Sequence, residues 1–143
     1  MLHDLACKLI KMKVKLPDNG STLSLYVNDC IDLDLRPEEK LYYSKYAYGT
    51  ADCIDFKDGI LRVSDLKTGK TKVQFLQLMI YAALFLLCYP EISLKCVRKI
   101  ELRIYQNNEI LMETPGIDEI LPVMDRIKRC SKILEELEET YDV

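Results

Sequence analysis

Apolar positions recur along the chain with two periods, one typical of helices and one typical of strands. A spacing near that of an α-helix predicts helices over residues 2–14, 22–35, 73–89 and about 118–140. The last of these has an apolar stripe made of Ile120, Met124, Ile127, Leu134 and Leu137. Alternating, β-branched or tyrosine-rich stretches predict strands over residues 39–48, 50–56, 60–67, 99–106 and 109–114.

The order of these elements predicts an α/β fold with a mixed central β-sheet of about five strands flanked by α-helices. The 143 residues are the length of one ordinary domain, so a single domain over residues 1–143 is expected. The most apolar stretch, residues 75–89, is interrupted by Gln77 and followed by Pro90. It is shorter than the roughly 20 residues that a membrane-spanning helix needs, which predicts a core helix and no membrane partner.

A tight turn between the second and third predicted strands sets their register. Asp58-Gly59 is a strong hairpin signal, because a two-residue type I′ turn needs positive φ at both central residues. If this turn forms, Lys57 lies opposite Ile60, and every further pair has residue numbers that sum to 117.

That register places charged residues opposite each other. Asp55 faces Arg62, which predicts an ordinary ion pair, and Asp52 faces Asp65, which brings two carboxylates together. Strand alternation puts Asp52 on the same face as Ile54, and Asp65 on the same face as Val63 and Lys67, so each acid has apolar neighbours. Two carboxylates at a partly dry position share a proton or bind a cation, and Mg²⁺ is suited to such a pair. The alternative is a solvated strand end where Asp65 and Lys67 form a loose ion pair.

The charge balance narrows the choice of partners. A net charge of −3 gives no overall basic field for nucleic acid, so a polyanion would have to be bound by a local patch. Lys67, Lys70 and Lys72 form one such group, although solvated faces explain most lysine clusters. The six cysteines include no CxxC pair and are expected to be reduced, mostly buried thiols of a cytosolic protein. An iron–sulfur cluster on four of them stays open as a lesser alternative.

The stretch GTADCIDFKDGILRVSDLKTGK, followed by QLMIY, resembles the core of the PD-(D/E)XK nuclease superfamily in its RecB-like and phage-type exonuclease branch. The resemblance covers residues 49–81 and implies a restriction-endonuclease-like core with Mg²⁺ or Mn²⁺ as cofactor. Asp52 and Asp65 then correspond to the metal ligands and Lys67 to the catalytic lysine. Gln77 and Tyr81 correspond to a helix motif that borders the site and contacts the nucleic acid.

Several assignments stay open beside this resemblance. The upstream acid or histidine that many relatives carry has three candidates here: Glu38, Glu39 and His3. Gln77 and Tyr81, at i and i+4, are alternatively a polar seam that satisfies hydrogen bonds in an apolar helix.

The resulting expectation is a Mg²⁺- or Mn²⁺-dependent DNA nuclease, more an exonuclease of recombination, repair or phage DNA processing than a site-specific endonuclease. Lys70 or Lys72 would lie near the DNA phosphates. The protein is expected in the cytoplasm, that of a bacterial host if it is phage-encoded, and homo-oligomerisation is possible. The rival is a non-catalytic nucleic-acid- or protein-binding scaffold with the same fold. A nucleotide-binding loop at TGKT is disfavoured, because Ser64 stands where that motif needs glycine.

Overall fold

The computed structural model describes residues 1–70, 72 and 74–141, which form an α/β fold. Its helices are α1 (Leu2–Met12), α2 (Thr22–Asp32), α3 (Leu76–Cys88) and α4 (Ile117–Tyr141). Its strands are β1 (Arg36–Ser44), β2 (Ala47–Lys57), β3 (Ile60–Leu66), β4 (Lys99–Gln106) and β5 (Glu109–Glu113). The predicted order of elements is confirmed.

The five strands form one mixed sheet in the order β1-β2-β3-β4-β5. All neighbouring strands are antiparallel except β3 and β4, which are parallel and are connected through α3. A parallel neighbour requires a crossover connection, and α3 supplies it. The sheet is therefore mixed, as the alternation of strands and helices predicts.

Helices cover both faces of the sheet. On one face α3 and α4 bury a core that includes Leu61, Val63, Leu102, Leu78 and Ile120. On the other face α1 and α2 pack through Ala6, Val27 and Cys30 against Leu66 and Tyr105 of the sheet. Two separate apolar clusters thus fix β3 and β4 between helices, which makes the centre of the sheet a rigid support for side chains at its edge.

The predicted turn between β2 and β3 is present. Asp58 and Gly59 have φ of 52° and 78°, the left-handed conformation that a two-residue hairpin turn requires. The pairs run from Lys57–Ile60 to Cys53–Ser64, so the predicted sum of 117 holds along the regular hairpin.

The tyrosine-rich strand predicted over residues 39–48 is wrong as a single element. The chain reverses at Lys45 and Tyr46, so β1 ends at Ser44 and β2 begins at Ala47. The Ser44 hydroxyl accepts a hydrogen bond from the Tyr46 N–H and makes a buried contact of 2.8 Å with the Ser131 hydroxyl. Since this turn uses neither glycine nor proline, the usual sequence signal for a reversal is missing.

The apolar stripe of α4 is buried only in its first half. Ile120 and Met124 lie in the core, whereas Leu134 and Leu137 are 41% and 48% exposed. The second half of α4 contacts the turn between β1 and β2 through Ser131 and Glu138, and the helical period alone does not reveal this change.

The predicted ion pair between Asp55 and Arg62 is also wrong, although their Cα atoms are opposite each other. Asp55 Oδ1 lies 3.1 Å from Arg36 Nη2 of β1, and Arg62 Nε lies 2.9 Å from Glu101 Oε1 of β4. Each side chain therefore pairs with the strand on its far side, so one ion pair joins β1 to β2 and the other joins β3 to β4.

All six cysteines are free thiols. Cys7, Cys30 and Cys53 are buried, whereas Cys96 and Cys130 are exposed, so the expectation of mostly buried thiols holds for half of them. Within the described residues, no helix combines the length and the apolarity needed to cross a membrane.

Candidate active site at the end of the central hairpin

Asp52 of β2 and Asp65 of β3 lie one step beyond the last regular pair of the hairpin. Ala51 and Ile54 both pack in the core under α3, so strand alternation breaks between them. Alternation from Ile54 therefore does not by itself fix the face of Asp52, and the contacts of its carboxyl group define its position. Instead, Asp52 Oδ2 accepts a hydrogen bond of 2.9 Å from the Leu66 N–H, which holds the carboxyl group against the end of β3.

The two carboxyl groups are close enough to affect each other's ionisation. Burial, then the negative charge of Asp65, raise the pKa of Asp52 from 3.8 to about 7, while the Leu66 N–H opposes the shift. A hydrogen-bonding contact with the Asp65 side chain acts in the same direction as burial. The Asp52 and Asp65 side chains are only 24% and 9% exposed. A cation placed between them would remove this repulsion.

Lys67 follows β3 directly and forms an ion pair with Asp65. Its Nζ lies 2.9 Å from Asp65 Oδ2. The angles of this contact are not those of a hydrogen bond, so the buried oxygen accepts none from the described residues. The contact with Asp65 raises the pKa of Lys67, so the ammonium group stays charged. Asp65 thus keeps acceptor capacity in a nearly dry position, which is unusual unless a further donor or cation uses it.

His3 of α1 reaches the same point. Its Nε2 lies 2.7 Å from the Leu66 carbonyl oxygen and 3.5 Å from Asp52 Oδ2. Because a carbonyl oxygen only accepts hydrogen bonds, Nε2 carries the proton in this arrangement. Of the three candidates for the upstream group, His3 is the one that contacts Asp52.

Glu38 and Glu39 face other partners. The charge of Glu38, after burial, raises the pKa of Cys7, which places this carboxylate against α1. Glu39 Oε1 accepts a hydrogen bond of 3.2 Å from the Tyr89 hydroxyl and lies 3.6 Å from Arg36 Nη1. Glu39 is therefore part of the ion cluster between β1 and α3.

Gln77 and Tyr81 lie together on α3, as their i and i+4 spacing predicts. Gln77 Nε2 donates a hydrogen bond of 3.0 Å to the Tyr81 hydroxyl. Burial is the main cause of the raised pKa of Tyr81, and the charges of Asp65 and Asp52 add to it, so the ring borders the carboxylates. A Cβ atom on Gly49 would lie 2.9 Å from Tyr81 Cε1, so the glycine makes room for the ring.

Lys70 and Lys72 follow Lys67 by three and five residues, and both are exposed. Thr71 and Val73 fall outside the described part of the chain, as does the predicted start of the third helix at 73. A cavity of about 310 Å³ opens beside Lys67, between residues 66–69 and the turn at residues 107–108. The proposed contacts of these lysines with phosphates stay predictions.

A larger cleft of about 650 Å³ lies between α3 and α4, away from the carboxylates. Its walls include Leu76 and Ile80 of α3 and Val123 and Ile127 of α4. The residues that line it include none of the predicted site residues, and helical periodicity gives no sign of it.

The donor set limits which metal sites are possible. In the part of the chain that the structure describes, no group of three or more His, Cys, Asp or Glu side chains is arranged to hold a metal ion. Asp52 and Asp65 alone offer two hard oxygen ligands. Mg²⁺ commonly binds through one or two carboxylates and fills its other positions with water and phosphate oxygens, so this pair fits such an ion.

A match to a known family shows to which protein family the chain belongs. Residues 21–128 match the family described as "Protein of unknown function (DUF2800)". The chain belongs to the DUF2800 family. The DUF2800 match contains Asp52, Asp65, Lys67, Gln77 and Tyr81, and it begins after α1, which carries His3. Searches of the curated proteins and of the solved structures give no significant match.

Sequence reasoning misses one part of this DUF2800 site, the main chain of Leu66. Its N–H binds Asp52 and its carbonyl oxygen contacts His3, so the main chain of one residue positions two side chains. A main-chain group has no residue-type signature, and an apolar leucine between Asp65 and Lys67 gives no hint of this role.

Proposed function

We propose that this DUF2800 protein is a Mg²⁺- or Mn²⁺-dependent DNA nuclease of the PD-(D/E)XK type. The observation that carries the proposal is the contact between Asp52 and Asp65 at a nearly dry strand end, with Lys67 paired to Asp65. Two adjacent carboxylates and one lysine are the groups that metal-assisted phosphodiester hydrolysis needs.

Asp52 and Asp65 would hold the divalent ion. Such an ion, when bound, neutralises charge on the phosphodiester and lowers the pKa of a water molecule that it binds. The raised pKa of Asp52 supports this role, because a carboxylate that is buried and also repelled by its neighbour gains most from a nearby cation.

Lys67 would stabilise the charge that builds up during the reaction. Hydrolysis adds water across a P–O bond, so one product keeps the phosphate and the leaving oxygen takes a proton. A charged ammonium group at 2.9 Å from Asp65 would lie beside the phosphate oxygens and offset their extra negative charge. Because its pKa is raised, Lys67 acts in this scheme as a charged donor and not as a base.

Gln77, Tyr81, Lys70 and Lys72 would contact the DNA. Gln77 and Tyr81 are held together beside the carboxylates, where they can orient the strand that is cut. Lys70 and Lys72 are exposed cations within five residues of Lys67, and they would contact the flanking phosphates.

The proposal is tested by incubating the purified protein with end-labelled single- and double-stranded DNA in Mg²⁺, Mn²⁺ or EDTA. We expect degradation that requires the metal and falls at least about 100-fold in Lys67→Ala, since preorganised charge stabilisation is commonly worth that much. Lys99→Ala is the matched control. Lys99 is also ion-paired, at 3.1 Å to Glu101, but lies at the far end of the sheet strands from Lys67.

The same experiment separates the rival function. DNA that is retained but not cut, with binding unchanged in Lys67→Ala, would support a non-catalytic scaffold. The reaction products distinguish an exonuclease from an endonuclease. Mononucleotides released from one end indicate an exonuclease, which is suited to recombination, repair or phage DNA processing. We place this activity in the cytoplasm, that of a bacterial host if the protein is phage-encoded, and include a possible homo-oligomer, which analytical ultracentrifugation would detect.

A further inference from the structure

The β1–β2 hairpin has one covered and one open face. Leu41 and Ala51 are buried in the core under α3, and Gly49 contacts Tyr81 of α3. Because side chains alternate along a strand, the neighbours of these residues point to the opposite side. That opposite side of the hairpin is the open face.

The open face carries a row of side chains in register. Tyr42 lies opposite Tyr48, and Lys40 lies opposite Thr50, and all four are exposed. Asp52 follows Thr50 by two residues and lies at the end of this row, where it contacts both His3 of α1 and Asp65 of β3. The row therefore leads from the tip of the hairpin to the candidate active site.

The two tyrosines at the start of the row form a flat aromatic surface. Their ring centroids are 6.0 Å apart, their planes differ by 22°, and each residue is 65% exposed. Two adjacent exposed rings form a contiguous apolar patch, and such patches mark interaction sites more often than single exposed residues do. An isolated cross-strand pair contributes only about 0.2–1 kcal/mol to stability. The pair therefore contributes little to folding but offers a flat apolar surface, which suits a ligand with flat rings.

We propose that Tyr42 and Tyr48 stack the bases of single-stranded nucleic acid and that Lys40 contacts its backbone, which leads the strand into the Asp52 site. Stacking on aromatic rings combined with a nearby cation is the usual means of binding single strands without sequence preference. This inference rests on the proposed nuclease function and specifies its substrate as a single strand. The bases of a duplex are already stacked on each other, so they gain nothing from such a surface.

The geometry also predicts a minimum length of substrate. Tyr48 and Asp52 are four residues apart on one strand, a distance of about 13 Å at 3.3 Å per residue. A stacked strand advances about 3.4 Å per nucleotide, so about four nucleotides separate a base on Tyr48 from the phosphate at Asp52. A substrate shorter than this cannot use both places at once.

Two measurements on each variant test the inference. Binding of a fluorescein-labelled oligothymidylate is followed by fluorescence anisotropy in EDTA, and hydrolysis of bis(4-nitrophenyl) phosphate is followed in Mn²⁺. We expect Tyr48→Ala to weaken oligonucleotide binding about 5- to 150-fold, the range expected for loss of one stacked base. Hydrolysis of the small phosphodiester should be unchanged, because it reaches only the carboxylates.

Three further variants serve as controls. Tyr48→Phe keeps the ring and should bind as the wild type does, whereas Tyr48→Leu keeps apolar bulk without the ring and should bind as weakly as Tyr48→Ala. Tyr141→Ala removes a tyrosine of α4 that is 74% exposed and lies outside the hairpin, and it should have no effect. Thermal unfolding establishes that each variant is folded.

The outcomes of the two measurements are distinguishable. Unchanged oligonucleotide binding in Tyr48→Ala, an equal loss in Tyr141→Ala, or no binding by the wild type would each overturn the stacking surface. A wild type that binds the oligonucleotide through Tyr48 but hydrolyses neither DNA nor the small phosphodiester would retain the surface and refute the nuclease.

Discussion

At the scale of single residues, Asp52 is held where its charge is unfavourable in the absence of a cation. Its pKa rises from 3.8 to about 7 on folding, so the folded protein binds this proton more tightly than the unfolded chain does. Stability contributed by the protonated group is therefore complete below the unfolded pKa and is lost as the pH rises through the folded pKa.

This sign gives a prediction for the metal-free protein. Between pH 5 and pH 8 the wild type should lose about 2–3 kcal/mol of unfolding free energy more than Asp52→Asn does. The asparagine oxygen can still accept the Leu66 N–H but cannot ionise, so at pH 8 the variant should be the more stable protein. Urea denaturation in EDTA measures both values.

Asp55→Asn is the matched control for this pH dependence. Asp55 is ion-paired with Arg36, so its substitution should destabilise the protein and leave the pH dependence due to Asp52 intact. Equal pH dependence in the wild type and Asp52→Asn would contradict the raised pKa of Asp52, which burial and then the charge of Asp65 cause.

Gly49 gives a second prediction at this scale. Gly49→Ala would place a methyl group 2.9 Å from Tyr81 Cε1, and overpacking of this kind costs about 1–3 kcal/mol. We expect lower DNA cleavage because the Tyr81 ring must move away from the site. In a Tyr81→Ala background the same substitution should cost nothing further, and a double-mutant cycle of stability and activity measures this.

At the scale of elements, the hairpin turn places Asp52 beside Asp65. Gly59 is both left-handed, with φ of 78°, and crowded, since a Cβ atom there would lie 2.6 Å from Arg98 Nε and 3.0 Å from the Cys96 carbonyl oxygen. Its own carbonyl oxygen accepts hydrogen bonds from the N–H groups of Arg98 and Lys99, which fasten the turn to the start of β4.

Gly59→Ala should therefore destabilise the protein more than the same substitution at a glycine that has positive φ but no close neighbours. Gly20→Ala is the comparison, because Gly20 has φ of 72° with nothing within 4 Å of its Cβ position. We expect about 1 kcal/mol of lost unfolding free energy for Gly20→Ala and at least about 1 kcal/mol more for Gly59→Ala. Equal losses in thermal and urea unfolding would mean that contacts of the turn with Arg98 and Cys96 are unimportant.

Turn chemistry also explains which strands are predictable from the sequence. Asp58-Gly59 and Asn107-Asn108 use residues that tolerate positive φ, and both hairpins were predictable. The turn at Lys45 and Tyr46 has no such residue, because buried contacts of Ser44 hold it from a distance in sequence. Asp52 is a similar case: alternation predicts its face from Ile54, but the bond from Leu66 to its carboxylate replaces regular pairing at this point.

At the scale of the whole molecule, the candidate site combines parts that are far apart in the chain. Asp65 and Lys67 are two residues apart and carry a recognisable motif, so the core of the site was predictable. His3 lies 63 residues before its partner Leu66, and only the packing of α1 on the sheet brings them together. The sequence could therefore name Glu38, Glu39 and His3 as candidates for the upstream group, but it could not show which of them lies beside Asp52.

The last part of α4 gives a prediction at the same scale. Beyond Ser131, which is buried against Ser44, the helix is largely exposed, and its Glu138 forms surface contacts with Lys45 and Tyr46. Surface ion pairs contribute about 0–1 kcal/mol, so a chain ending at residue 132 should fold and retain its activity. Thermal unfolding and the DNA assay measure this, and an unfolded product would show that the exposed leucines of α4 are covered in solution.

The most direct test of the central claim is a crystal structure of the protein grown in Mn²⁺, with the metal located by its anomalous scattering. Our account predicts a Mn²⁺ ion bound by both Asp52 and Asp65, with Lys67 beside it, and loss of that ion in Asp65→Asn. Carboxyl groups that point to opposite sides of the sheet, or Mn²⁺ bound elsewhere while this pair shares a proton, would contradict it.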